Sequence, residues 1–216
     1  GERVLDLGCG DGALTEKLLA AGCQVVAVDS SPEQVWASLE RGIDARILDA
    51  RALGFEDEFD AIFSNAVLHW IPDADLALQQ IRKALVPSGR LVAEFGGAGC
   101  VSVIRNALGT ALSRRGIDSS HANPWYFPTG DEYRARLEAH DFHIDMLSVF
   151  PRPTPLPSDI TVWLKIFAKS CLETVDKPER PQLLAEVRDI LEPTLRTAEG
   201  VWVADYVRLR TAATKK

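Results

Sequence analysis

The chain has 216 residues, 46% of them hydrophobic and 25% charged, a composition that fits a globular α/β domain and excludes a disordered or fibrous chain. Its net charge is −7 and no basic run extends beyond Lys215-Lys216, which argues against a nucleic-acid partner. Cys9, Cys23, Cys100 and Cys171 lack C-x-x-C spacing, and His69, His121, His140 and His143 follow no ligand pattern, so neither a disulfide framework nor a metal site is expected. With no signal peptide and no long apolar span in the sequence, the expected setting is the cytoplasm, without stable membrane association.

Val4-Leu5-Asp6-Leu7 reads as a short buried strand that runs into the glycine loop Gly8-Cys9-Gly10-Asp11-Gly12. A helix follows at once, with Leu14, Leu18 and Ala21 at helical spacing. Glycines let a ligand approach the backbone, and the helix behind points its free N–H groups at it. Gly8-x-Gly10-x-x-Ala13 satisfies the dinucleotide-binding pattern. Asp6 and Asp11 oppose that reading, because carboxylates repel a pyrophosphate and suit a cation. Gln24 to Val28 is a second strand ending at Asp29, where an acid can hold a ribose diol. Ser31, Pro32 and Gln34 form a capping box for a helix that Gly42 ends. Ala45 to Leu48 makes a third strand leading into Asp49-Ala50. Phe59 to Asn65 makes a fourth, followed by Ala66-Val67-Leu68-His69-Trp70.

The order Asp6-x-Gly8-x-Gly10-x-Gly12, strand-end Asp29, Asp49-Ala50, then Phe59-Asp60-x-Ile62-x-x-Asn65-x-x-Leu68-His69-Trp70 resembles class I S-adenosylmethionine-dependent methyltransferases. Among these it is most similar to the trans-aconitate methyltransferase-like small-molecule group. The resemblance implies a cofactor site made by Asp6, Gly8, Cys9, Gly10, Asp29, Ser30, Asp49, Ala50 and Asn65, with Asp49 and Ala50 at the adenine and backbone near Asn65 at the methionyl amino group. It places His69 and Trp70 near the reacting methyl. Gln34 stands where family members often carry an adenine-packing Met. Such domains usually have a helical segment before the first strand, so a segment ahead of Gly1 is expected to be missing.

Asp73 to Leu85 is an amphipathic helix, broken by Pro87-Ser88-Gly89, and Arg90 to Phe95 is a fifth strand. Alternating strands and helices imply a doubly wound parallel sheet with ligands at the strands' carboxyl ends. A helix is expected from Val101 to Arg115. The loop Asn123 to Pro128 offers Trp125 and Tyr126 as walls of an acceptor pocket. Thr129-x-x-Glu132 is a capping box for a helix through Ala139, and Phe142 to Phe150 is a sixth strand. A helical cover is expected over 151–199, within a single domain spanning 1–216. Val201 to Leu209 is the expected seventh strand, antiparallel beside the sixth.

The functional expectation is methyl transfer from S-adenosylmethionine to a small molecule. A carboxylate acceptor needs no general base, whereas a carbon, amine or hydroxyl acceptor would draw on His69. Arg105 and Arg152 are candidate carboxylate holders. An NAD-dependent oxidoreductase, a cyclopropane-type lipid alkylation and a non-catalytic cofactor-binding module stay open as alternatives.

Overall fold

The computed structural model describes residues 1–119 and 122–216, so His121 lies outside the described residues. In chain order the strands and helices are β1 (Arg3–Leu7), α1 (Thr15–Ala20), β2 (Gln24–Asp29), α2 (Pro32–Glu40), β3 (Ala45–Ile47), β4 (Phe59–Asn65) and, after a 3-10 turn at Leu68–Trp70, α3 (Ala74–Ala84). There follow β5 (Leu85–Gly96), α4 (Ser102–Ser113), α5 (Gly130–Ala139), β6 (Phe142–Pro151) and β7 (Thr154–Pro155). The chain ends with α6 (Ile160–Phe167), α7 (Lys169–Leu172), α8 (Arg180–Leu195), β8 (Val203–Ala204) and β9 (Val207–Lys215). Two compact units emerge, one of residues 1–98, 126–149 and 208–216, the other of 99–125 and 150–207. The second unit is therefore wider than the insertion expected at 151–199.

The first unit is built on a seven-stranded sheet of order β3-β2-β1-β4-β5-β9-β6. Strands β1 to β5 pair in parallel, and β9 runs antiparallel to β5. Parallel strands covered on both faces read as unbroken apolar runs, and β1 buries four consecutive residues, Val4 to Leu7. Helix α3 buries Ala77 and lays Leu78, Ile81 and Ala84 into the core shared with Phe59, Ile62 and Leu91. The last strand lies between β5 and β6, as the antiparallel expectation requires. Its bounds differ: Val203–Ala204 pairs instead with β7 in a separate two-stranded sheet, and β9 runs on to Lys215. Strand β5 also starts before its expected breaker. Leu85 pairs with Phe59, and pairing resumes at Arg90 with Ala61, so Pro87-Ser88-Gly89 is a bulge within the strand.

The second unit packs α4 on α8 and α6 on α8. Helix α6 is capped by Asp159, whose Oδ1 accepts from Thr161 N at 2.9 Å. Val101, with φ +47, precedes α4 without a capping side chain of its own. Asp205 supplies the cap from afar, its Oδ2 accepting from Val103 N at 2.8 Å. Trp163 centres an aromatic cluster, donating to the Tyr206 hydroxyl at 2.6 Å and lying 5.1 Å from the Phe167 ring.

Candidate active site

The carboxyl ends of the parallel strands share one edge of the first unit. Gly8 follows β1, Asp29 closes β2, Asp49 lies beyond β3, and Asn65 and Gly96 close β4 and β5. The chain winds outward from β1 through β2 to β3 and then returns to β4 on the other side of β1. Such a reversal of strand order opens a crevice for ligands.

The glycine loop is braced from several directions. Gly8 N and Cys9 N donate to Val28 O at 2.8 and 3.0 Å. Gly10 N donates to Asp29 Oδ2 at 3.0 Å, and the Gly10 carbonyl accepts from Ser38 Oγ at 2.8 Å. Gly8 has φ +78, and a Cβ there would lie 2.1 Å from Val67 Cγ2, so only glycine fits. Gly10 differs. Its φ is +58, and a Cβ would meet only Gln34 Oε1 at 3.7 Å, which leaves the loop open to a ligand at that point. Cys9 is buried and its thiol is pushed up to about 11 by that burial, so it is an inert part of the brace.

Asp29 Oδ1 accepts from Ser31 N at 2.9 Å while Oδ2 takes Gly10 N. A carboxylate has about four acceptor positions, so each oxygen keeps one for a ligand. This contact also alters the helix start. Ser31 Oγ caps Gln34 N at 3.3 Å as expected, but Ser31 N is committed to Asp29 and the return arm of the capping box is missing. Ser30 beside it is exposed.

Asp6 is 2% exposed beneath the loop, and Thr15 Oγ1 donates to its Oδ2 at 2.6 Å. Burial pushes its carboxyl up to about 6, with the Asp29 charge adding to the rise and the Thr15 hydrogen bond opposing it. Asp49 takes an unexpected partner. Arg51 N donates to its Oδ1 at 2.8 Å and Arg51 Nη2 to its Oδ2 at 2.6 Å, and these bonds hold the carboxyl down at about 2. An arginine two residues on thus occupies the acid assigned to adenine. Ala50 is buried in the core behind it.

His69 sits in the 3-10 turn after β4, next to Ala66, whose φ of +60 puts a non-glycine residue in the left-handed region. Its Nδ1 accepts from Gly96 N at 3.2 Å, and its carbonyl accepts from Tyr126 N at 2.8 Å. Burial, aided by the charge of Arg208, lowers its pKa to about 3. A neutral imidazole with Nδ1 accepting carries its proton on Nε2. In this arrangement the Nδ1 lone pair is taken by Gly96 N, which holds His69 as a packed, oriented side chain. Trp70, 38% exposed, and Phe127 stand 5.2 and 5.7 Å from the His69 ring. Tyr126 is half-buried in the same unit, and Trp125 belongs to the second unit, 6.2 Å from Trp163.

Sequence reading missed Thr15, Ser38 and Arg208. Ser38 had a faint signal, a hydroxyl three residues after Val35 on the buried face of α2. Arg208 had none, because only the register that sets it opposite Gly96 brings it near His69. Among the described residues no group of His, Cys, Asp or Glu could hold a metal, and no helix is long and apolar enough to cross a membrane.

Residues 5–93 match the family described as a methyltransferase domain. Over 100% of its length the chain is 34% identical to an uncharacterised methyltransferase of Schizosaccharomyces pombe, spanning 87% of that protein. A stretch of 44% of this chain is 42% identical to trans-aconitate 2-methyltransferase of Mycobacterium tuberculosis, covering 37% of that protein. Phosphoethanolamine N-methyltransferase 2 of Haemonchus contortus, solved with phosphomonomethylethanolamine and S-adenosylhomocysteine, shares the fold with a TM-score of 0.60 at 19% identity, over 100% of this chain and 49% of that one.

Proposed function

The chain belongs to the methyltransferase family, and from that premise we propose that it methylates a carboxylate of a small organic acid. Its methyl donor is S-adenosylmethionine, and of the glycine loop's two readings the dinucleotide one falls away. The residues present fit that donor. Asp29 keeps an acceptor position on each oxygen for a ribose diol, Gly10 leaves backbone accessible, and Asp6 places negative charge under the loop for a cationic ligand. Backbone at Asn65 is assigned to the methionyl end and the edge at Asp49 to the adenine. When bound, S-adenosylmethionine supplies a methyl carbon activated by its sulfonium.

The protein's share is alignment and exclusion of water, a contribution of roughly 7–11 kcal/mol in favourable cases. His69 is the observation that carries the choice of acceptor. With Nδ1 held by Gly96 and the ring neutral down to about pH 3, it serves as a fixed wall and Nε2 donor. A carboxylate suits such a site because it is already ionised, with a pKa near about 4. The Mycobacterium relative is named for an acid, trans-aconitate, which supports the same class.

With a carboxylate acceptor the rate is flat from about pH 6.5 to 9, and the product is an ester cleaved by mild alkali. His69→Ala costs about tenfold through lost positioning and leaves the pH profile unchanged. A general base would instead account for about 10²–10⁴ in rate and give activity that falls with acidification. An alkali-stable methylated product refutes the carboxylate assignment.

Arg51 gives a second check. The Asp49–Arg51 pair is about half exposed and such pairs are worth about 0–1 kcal/mol, so adenine can displace the guanidinium cheaply. Arg51→Gln leaves the affinity for S-adenosylhomocysteine equal or up to about fivefold tighter by calorimetry, whereas Asp49→Ala weakens it. Weakening by both substitutions would show that the pair itself is the recognition element.

A further inference from the structure

Two tethers fix the His69 turn, and they come from different elements. Gly96 N, at the end of β5, holds the ring at Nδ1, while Tyr126 N holds the backbone carbonyl at 2.8 Å. The second tether belongs to the segment that leads into α5. There Ala98 N donates to the Pro128 carbonyl at 2.8 Å, and Thr129 opens the capping box of the helix. Between these anchors the two aromatic rings part. Tyr126 packs against the core that holds Leu68, Leu78 and Tyr133, whereas Phe127 lies 5.7 Å from the His69 ring. Arg136, in the last turn of α5, stands over the Tyr126 ring with its Cζ 5.6 Å from the ring centre. Its guanidinium is paired with Asp75 in the first turn of α3. His140, four residues on and therefore on the same face of α5, donates from Nε2 to the other oxygen of that carboxylate at 3.2 Å. The Arg136 hydrogen bond, helped by His140, holds the Asp75 carboxyl below the usual carboxylate range. Arg136 and Asp75 are both partly exposed, and such pairs add little to stability. What sets this pair apart is its place behind Tyr126, within the first unit.

We propose that Arg136 is a positioning residue for the candidate active site: braced by Asp75, it clamps Tyr126 so that the Tyr126 backbone holds the His69 carbonyl and Phe127 rests against the His69 ring. This role rests on the reading of His69 as a wall of the acceptor site, and Arg136 acts on that wall through Tyr126. The ring of His69 is oriented by β5, and its backbone is placed by the clamp. Loss of the clamp therefore leaves the Gly96 hydrogen bond available but lets the turn and Phe127 shift against each other.

Nuclear magnetic resonance of the ligand-free full chain tests this, with the His69 imidazole signals assigned by their absence from His69→Ala. Phe127→Leu removes the neighbouring ring and sets the scale of the shift. Arg136→Gln moves the same signals by at least half that amount, and Asp75→Asn moves them in the same direction. Arg136→Lys keeps a cation over Tyr126 and restores the parent positions. Arg82→Gln is the control: it cuts another link from α3, Arg82 Nη2 to Asp141 Oδ2 at 3.5 Å just past α5, and leaves the His69 signals in place. By calorimetry, Arg136→Gln binds S-adenosylhomocysteine within twofold of the parent, since the glycine loop is untouched. The proposal is overturned if Phe127→Leu or Arg136→Gln leaves the His69 signals at the parent positions, if Arg136→Lys shifts them as far as Arg136→Gln, or if Arg82→Gln does so. A loss of more than twofold in S-adenosylhomocysteine binding by Arg136→Gln also overturns it, because the effect would then be a general loosening. Since the signals are read without donor or acceptor, failure of the clamp leaves the methyl-transfer reading intact.

Discussion

Asp6→Asn stabilises the cofactor-free protein by about 3 kcal/mol at pH 7.5, since burial raises this carboxyl from 3.8 to about 6 and makes its ionisation in the folded protein unfavourable. In the unfolded chain Asp6 loses its proton near pH 4, and in the folded protein near pH 6. Between those values the native state binds the extra proton, so stability falls as pH rises from about 4 to 6 and the penalty is constant above. The substitution removes the titrating group and keeps the shape. The gap in unfolding free energy between mutant and parent therefore opens across pH 4 to 6 and is flat beyond about 6.5. Cofactor affinity moves the other way, because a cationic ligand favours the ionised acid. S-adenosylmethionine binding to the parent weakens as pH drops through about 6, and Asp6→Asn binds weakly at every pH. Chemical denaturation at pH 4.5, 6 and 7.5 with a titration at each pH measures both. A gap that is the same at all three values refutes the account.

Asp29→Ala weakens S-adenosylhomocysteine binding at least tenfold. The ribose hydroxyls lose hydrogen bonds to a charged acceptor, on the order of 1.5–3 kcal/mol. The bare sequence suggests that apo stability would scarcely change. The structure alters this, because Gly10 N and Ser31 N both depend on the same carboxylate. Leaving two backbone donors without an acceptor costs about 1–3 kcal/mol of stability as well. Asp29→Asn separates the roles, since its single carbonyl oxygen can brace one donor while the paired grip on the diol is gone. Calorimetry below the melting temperature of each variant reads the affinity. An unchanged affinity alongside reduced stability would leave Asp29 as a loop brace and nothing more.

What could be read in the sequence is what depends on near neighbours. The Thr129–Glu132 capping box is present with both arms, because every group in it lies within four residues. The β1 strand and its glycine loop, Asp29 at the end of β2 and Asn65 at the end of β4 stand where the alternation of strand and helix puts them. What escaped depends on distant partners or on competition. The Ser31 box lost one arm to Asp29, and Asp49 was claimed by Arg51. Pro87-Ser88-Gly89 looked like a gap and is a bulge because Leu85 finds Phe59 across the sheet. The hold of Gly96 N on His69 Nδ1 was not legible either, because that contact exists only once β5 lies beside β4.

The fully braced Gly10, with its N–H on Asp29 and its carbonyl on Ser38, also bears on the timing of ligand exchange. A loop whose backbone partners are already in place has little ordering left to do when a ligand arrives. Association then proceeds without a slow folding step, and the observed rate constant rises linearly with ligand concentration and shows no plateau. Substitutions around the loop would be expressed mainly in residence time, since related complexes differ far more in dissociation than in association. Ser38→Ala, which frees the Gly10 carbonyl, is the variant in which a saturating conformational phase should first become visible in stopped-flow traces.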